Sequence, residues 1–172
     1  MQADADQNVL IVGGGAPSIG LYAAAMAVAL GAAAVDYVDS DPERLRLAEQ
    51  AGVHVIEGPP PKRLGPYNLT VDASADGAGL ACALRSAEPG GICTSVGIYY
   101  SDTAVPLLEM YSKGITFVTG RVNAREAIPP VLDLVQAGRF KPEQFTTAVA
   151  SWSDAPEAMF TPSTKLVVTR AG

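Results

Sequence analysis

The chain is poor in the side chains that most often carry metal or covalent chemistry: histidine and tryptophan occur once each in 172 residues and cysteine twice. Cys82 and Cys93 stand at no metal-ligand spacing with each other or with His54, so the sequence gives no support for a Cys/His zinc site. Both cysteines are expected to stay reduced and to act as small packing residues. Charged residues make up only 17% of the chain, with a net charge of −6. That balance lacks the basic surface on which nucleic-acid affinity depends. Long apolar runs are missing as well. The longest, Leu21 to Ala34, is alanine-rich, interrupted by Gly31, and short of the roughly 20 residues that cross a bilayer. Met1 to Asn8 is polar and acidic, without the basic flank and apolar stretch of a secretory signal. The expected location is therefore cytoplasmic, with neither nucleic acid nor membrane as a partner.

What the chain does have is apolar content, 48% hydrophobic residues, enough at this length for one core that buries roughly 70% of the unfolded surface. Val9 to Val12 is a continuous apolar run before glycines, the pattern of a strand covered on both faces. From Ser18 the period lengthens, and Ile19, Tyr22, Ala23, Met26 and Leu30 form one predicted helical stripe ending at Gly31. Ala34 to Asp39 reads as a second strand, and Asp41-Pro42 as the cap and first position of a second helix with Leu45 and Ala48 inward. Val53 to Ile56, Leu69 to Ala73, Ile92 to Val96 and Ile115 to Val118 read as further strands. A helix is predicted from Asp76 to Ala87. Another is capped by Asn123, with Glu126 at capping-box spacing and Pro129-Pro130 delaying its regular part to Ile128–Ala137. Gly58 to Tyr67, with four prolines, is expected to be a loop. Strands alternating with helices over short links call for a parallel sheet with right-handed crossovers, a doubly wound α/β fold. Phe145 to Gly172 departs from this alternation, with a short helix near Asp154–Met159 and an extra strand at Leu166–Thr169.

The turn between the first strand and first helix reads Gly13-Gly14-Gly15-Ala16-Pro17-Ser18-Ile19-Gly20. Unpaired N–H groups at a helix N-terminus favour phosphate charge, and small residues let it come close to the backbone. Pro17 stands where G-x-G-x-x-G has its second glycine, so the strict string fails. Asp39 ends the second strand, where a carboxylate can accept both hydroxyls of an adenosine ribose. A 2′-phosphate would be repelled there, which favours NAD over NADP, with Arg44 nearby softening the preference.

These residues, together with Val71-Asp72-Ala73-Ser74, Pro89-Gly90-Gly91 and Val96-Gly97, resemble the coenzyme domain of the medium-chain alcohol dehydrogenases from about Asn8 to Ala137. The resemblance implies a six-stranded Rossmann sheet in the order 3-2-1-4-5-6 and a dinucleotide domain at 8–144. It also implies a segment at 145–172 that returns to a catalytic domain. Gly13 and the run Gly15, Ala16, Pro17, Ser18, Ile19 and Gly20 would then hold the pyrophosphate, and Asp39 and Arg44 the adenosine ribose. Ala73 and Ser74 would flank the adenine side, Val96, Gly97 and Ile98 would face the nicotinamide, and backbone at Phe117 and Thr119 would fix its amide. The family's catalytic domain has no counterpart in these residues, so the chain is expected to bind NAD(H) as part of an alcohol or carbonyl oxidoreductase and to be weakly active or inactive alone. The resemblance further implies a homodimer paired through Ile115–Val118, an apolar edge that needs cover.

Competing chemistries find less support. A short-chain reductase needs Tyr-x-x-x-Lys, which Tyr99, Tyr100 and Tyr111 do not supply, and no Walker lysine follows the glycine turn. G-x-S-x-G is missing, and His54 lies inside a predicted strand with a structural or surface role. Two alternatives remain: an S-adenosylmethionine-dependent methyltransferase, which would close its sheet with an antiparallel hairpin, and a non-catalytic nucleotide-sensing module.

Overall fold

The computed structural model describes residues 6–170. β1 (Asn8–Val12) is the strand the apolar run predicts, with Val9, Leu10, Ile11 and Val12 fully buried. It pairs in parallel with β2 (Ala34–Asp39) on one side and with β4 (Tyr67–Asp72) on the other. β3 (His54–Glu57), β5 (Ala87–Ser95) and β6 (Thr116–Val118) complete a six-stranded, all-parallel sheet in the order 3-2-1-4-5-6. Strand order reverses between β1 and β4, which opens a crevice at the carboxyl ends of those strands.

Alternation along the strands divides the core in two. Val9, Ile11, Tyr37 and Val71 face α1 (Pro17–Leu30) and α2 (Pro42–Gln50), whereas Leu10, Val12, Val38 and Cys93 face α3 (Gly77–Ser86). Asp41 caps α2 by accepting from the Arg44 N–H at 3.0 Å, and Asp76 caps α3 by accepting from Ala78 and Gly79. The proline-rich stretch 58–66 forms neither helix nor strand, as expected. It is held where Leu64 N–H donates to Ser86 Oγ at 2.9 Å.

Several local expectations are corrected. α1 buries Gly20, Leu21, Ala24 and Ala27 against the sheet, while Ile19 of the expected stripe is 48% exposed. An alanine-rich helix is apolar all round, so periodicity alone cannot choose its inner face. Ile19, Tyr22 and Met26 instead wall an open groove of about 560 Å³ against Leu69, Val71, Ile92 and Val96. Gly90-Gly91 does not precede β5 but lies within it: Tyr67 pairs with Ala87 and Leu69 with Ile92, so the residues between bulge out, with Gly90 at φ 75°. α4 (Leu107–Lys113), set between Pro106 and a left-handed Gly114, was not expected. It buries no residue, so it carries no core-facing pattern to read. α5 (Ala124–Gln136) is regular from its start, with both prolines inside it, and Asn123 makes no side-chain cap. The carbonyls those prolines leave unpaired, on Arg125 and Glu126, belong to exposed residues where water can serve them.

The tail is organised around a short parallel pair of strands, β7 (Ala148–Ser151) and β8 (Leu166–Thr169), joined through α6 (Ala155–Ala158). The extra strand expected at Leu166–Thr169 therefore pairs with β7, whose Ala-Val-Ala-Ser sequence holds a single β-branched residue and gives little strand signal. A 3-10 turn at Pro142–Phe145 anchors the tail: Phe145 is fully buried, and its ring meets Tyr22 edge-on at 5.6 Å. Phe145→Ala should cost about 3–5 kcal/mol. Urea unfolding followed by circular dichroism is expected to show a lower midpoint at unchanged slope, and a loss below about 1 kcal/mol would remove Phe145 as the anchor.

Candidate functional site

The candidate residues converge at the carboxyl ends of β1, β2, β4, β5 and β6. The glycine turn is tied into the sheet by its own backbone: Gly13 N–H donates to Val38 O at 2.8 Å, Gly15 N–H to Ser74 O at 2.7 Å and Ala16 N–H to Ala73 O at 2.9 Å. Pro17, at the first helical position, has no N–H. Gly20 N–H, bonded to Ala16 O at 3.0 Å, opens the helical ladder. Between them, the N–H groups of Ser18 and Ile19 have no acceptor among the described residues. Two donors at the positive end of a helix are thus left for an anion.

The glycines are demanded by close approach. A Cβ on Gly14, whose φ is 139°, would lie 2.9 Å from Ser74 O, and one on Gly15 would lie 2.9 Å from the same oxygen. On Gly13 it would collide with the Asp39 carboxylate and the Tyr37 hydroxyl, and on Gly20 it would crowd Ala73 Cβ at 3.1 Å. Pro17 stands at the first helical position, where its fixed φ and missing N–H are tolerated, so the incomplete glycine string still makes a strand–turn–helix.

Asp39 sits at the end of β2 as expected, but its side chain is only 2% exposed because Arg44 covers it. Oδ1 accepts from Arg44 Nη2 at 2.7 Å and from Asp41 N–H at 3.0 Å. Oδ2 accepts from Arg44 Nε at 2.8 Å and from the Tyr37 hydroxyl at 2.7 Å. Burial alone would push this carboxyl up, but hydrogen bonds from Arg44, Tyr37 and Asp41, with the Arg44 charge, outweigh it and hold the group below the usual carboxylate range. Burial, then the neighbouring Asp39 charge, drives Tyr37 the other way and keeps it a neutral donor.

On the other side of the crevice Ala73 and Ser74 close β4, while Val96 and Gly97 follow β5 and Ile98 is 68% exposed. A Cβ on Gly97 would lie 2.9 Å from both N and Cα of Ala75, which itself has a left-handed φ of 52°. Phe117 lies in β6, and Thr119, just beyond it, is exposed without a hydrogen bond to the cluster.

Three groups escaped sequence reasoning. Tyr37 is fully buried two residues before Asp39 on the same strand face, and a buried tyrosine needs a hydroxyl partner, so an i, i+2 reading could have paired them. Asp72, Ser95 and Tyr99 form a second buried hydrogen-bonded cluster. The tail brings Thr164 and Lys165 beside Ser18, where they line a cavity of about 540 Å³. No local pattern announces that last meeting, because it depends on the tail's path.

No zinc site assembles from the described residues, among which no three His, Cys, Asp or Glu are grouped to hold a metal. His54 lies on β3, its side chain 73% exposed, against Asp36. Both cysteines are buried, and burial pushes the Cys93 thiol up to about 12.

The sheet order and the glycine turn between β1 and α1 define a Rossmann-type α/β domain. Residues 18–137 match the family described as zinc-binding dehydrogenase, and the chain belongs to that family, as its Rossmann-type cofactor-binding domain. The structure is similar to that of alcohol dehydrogenase TADH from Thermus sp. ATN1, with 27% identity and a TM-score of 0.86, covering 99% of this chain and 52% of that one. Two more distant likenesses show the fold alone. A short chain alcohol dehydrogenase from E. coli CFT073, complexed with the cofactor NADH, has 23% identity and a TM-score of 0.79 over 92% of this chain and 49% of that one. A putative zinc-binding dehydrogenase from Sinorhizobium meliloti 1021, bound to NADP, has 20% identity and a TM-score of 0.81 over 96% and 53%. The chain spans about half the length of these relatives. The all-parallel sheet and the family together set aside the methyltransferase reading.

The depressed Asp39 pKa has a pH consequence. A carboxylate held lower in the folded than in the unfolded state adds stability above the unfolded value near ~3.9, which is lost as pH falls through the folded value. Chemical unfolding at a series of pH values should show Asp39→Asn with a flatter acid limb below about pH 4 than the parent. Parallel limbs would remove the Asp39–Arg44 pair as the source.

Proposed function

We propose that this chain binds NAD(H) and serves as the cofactor half of a cytoplasmic alcohol or carbonyl oxidoreductase, weakly active or inactive without a catalytic half. The observation that carries the reading is the pair of unpartnered N–H donors on Ser18 and Ile19 beside the Asp39–Arg44 pair. A pyrophosphate would rest on those donors at the end of α1, with Lys165 as the cation lining the neighbouring cavity. Arg44 occupies one acceptor position on each oxygen of Asp39. If it swings aside, Oδ1 of Asp39 keeps Asp41 N–H and Oδ2 keeps the Tyr37 hydroxyl, so each oxygen gains one free acceptor. Two acceptors on a fixed carboxylate suit the two hydroxyls of an unphosphorylated ribose. From there a dinucleotide continues over the ends of β4 and β5, where Val96, Gly97 and Ile98 would face the nicotinamide and Phe117 and Thr119 its amide. The bound cofactor would supply hydride exchange; the chain's own work is to hold and orient it.

Isothermal titration should detect NADH binding in the micromolar range or weaker, with no measurable turnover of simple alcohols. Asp39→Ala should weaken NADH by about tenfold or more, the loss of hydrogen bonds to a charged group, and NADPH by less. No saturation at millimolar NADH would remove the reading, and equal losses for both cofactors would remove the ribose role of Asp39.

Self-association is proposed through β6, which lies at the sheet edge with Val118 46% exposed. Light scattering should report a dimer that Val118→Lys disperses, since a charge on an edge strand opposes pairing. A strictly monomeric parent would rule it out.

A further inference from the structure

Asp72 is a fully buried carboxylate with no cation in hydrogen-bonding contact. Four donors converge on it instead. Ser74 N–H at 3.0 Å and Ser74 Oγ at 2.5 Å reach Oδ1, while Ser95 Oγ and the Tyr99 hydroxyl reach Oδ2, each at 2.7 Å. An ionised carboxylate taken out of water is costly unless its lone pairs are filled, and here they are filled entirely by the two loops leaving β4 and β5. The carboxylate thus touches both loops through side-chain hydrogen bonds, and the Tyr99 hydroxyl adds a longer contact of its own to Asp76 O at 3.2 Å.

Each loop bears on a different half of the crevice. The β4 loop offers Ala73 O and Ser74 O to the N–H groups of the glycine turn. The β5 loop runs from Ser95 through Val96, Gly97 and Ile98 to Tyr99, with Gly97 pressed on Ala75. The β4 loop is braced without Tyr99 as well: Ser74 bonds Asp72 twice, and Asp76 N–H donates to Ser74 Oγ at 3.1 Å. The β5 loop is tied to β4 at its start by Val96 N–H, which donates to Asp72 O at 2.8 Å, and to the Asp72 carboxylate by Ser95 and Tyr99.

We propose that Asp72, acting through Ser95 and Tyr99, is a positioning residue that fixes the Val96–Ile98 segment under the nicotinamide half of the dinucleotide. The proposal rests on the NAD(H) reading above. It predicts an asymmetry. Loosening Tyr99 releases the far end of the β5 loop and leaves the turn, the Asp39 site and the Ser74 bonds of the β4 loop in place, so the part of the ligand beyond the pyrophosphate loses most support.

The test compares NADH with ADP-ribose, which lacks the nicotinamide, as ligands of the whole chain by isothermal titration. Tyr99 is only partly buried, so Tyr99→Phe removes one hydroxyl from a site that stays filled by a ring. Tyr99→Phe and Ser95→Ala should each weaken NADH about fivefold to tenfold, the scale of one hydrogen bond to a charged group partly offset by relaxation, with ADP-ribose changed less than about twofold. Bound NADH should also lose part of its fluorescence shift in Tyr99→Phe. Equal losses for the two ligands, or no loss for either, would overturn the positioning role. A parent chain that binds neither ligand would overturn the NAD(H) reading itself, a different outcome from either.

Discussion

The arrangement depends on how backbone N–H groups are divided at one turn. Gly13, Gly15 and Ala16 spend their donors on carbonyls of β2 and of the β4 loop, and Pro17 has none to offer. This fixes the turn to its neighbouring strands and leaves Ser18 and Ile19 as the donors facing outward. The glycines are needed because those bonds bring backbone against backbone, with Gly14 and Gly15 close to Ser74 and Gly20 close to Ala73. A larger side chain would push the turn off the β4 loop, and the helix end would then point elsewhere.

Two buried aspartates end β2 and β4, on either side of this turn, and they are solved differently. Asp39 has a guanidinium partner together with a tyrosine and a backbone donor, and its charge is matched. Asp72 has hydroxyls and one backbone N–H, and its charge is only solvated by protein. Asp39 ties its strand end to the start of α2 within five residues, whereas Asp72 bridges segments more than twenty residues apart, so each carboxylate turns a strand end into a junction of a different reach. A carboxylate suits that task because it accepts from several directions at once, where an amide would present two donors to neighbours that are already donating. The tyrosine in each cluster has its pKa raised, first by burial and then by contact with the carboxylate, and so remains a donor.

The parts of this design legible in the sequence are those fixed by short-range rules. Apolar runs gave the buried strands, Asp41 and Asp76 gave the helix starts, and strand–helix alternation gave the sheet order once the resemblance was added. The turn and Asp39 were legible because their spacing follows from one βαβ unit. What stayed hidden has a physical cause in each case. α1 is apolar on every face, so its inner side is chosen by packing. α4 buries nothing and therefore has no amphipathic pattern. Arg44 was read as a ribose ligand, but only the fold shows that it first covers Asp39. The Asp72 cluster joins residues separated by more than twenty positions, a distance that no periodicity spans.

The tail shows why composition alone is a weak guide to what belongs to a site. Beyond α5 the pattern changes, from alternating strands and helices to a 3-10 turn, β7, α6 and β8. Contacts nevertheless cross it in both directions. Phe145 fills the core beside Tyr22, Lys165 lies 5.9 Å over the same ring, and Thr164 donates to Glu43 at 2.9 Å in the first turn of α2. These contacts bind the tail to α1 and α2, the two helices that begin beside the glycine turn and Asp39. An anion on Ser18 and Ile19 would therefore meet the loop that carries Lys165 as well as the helix dipole, and its binding would draw on a residue nearly the whole chain away from the turn.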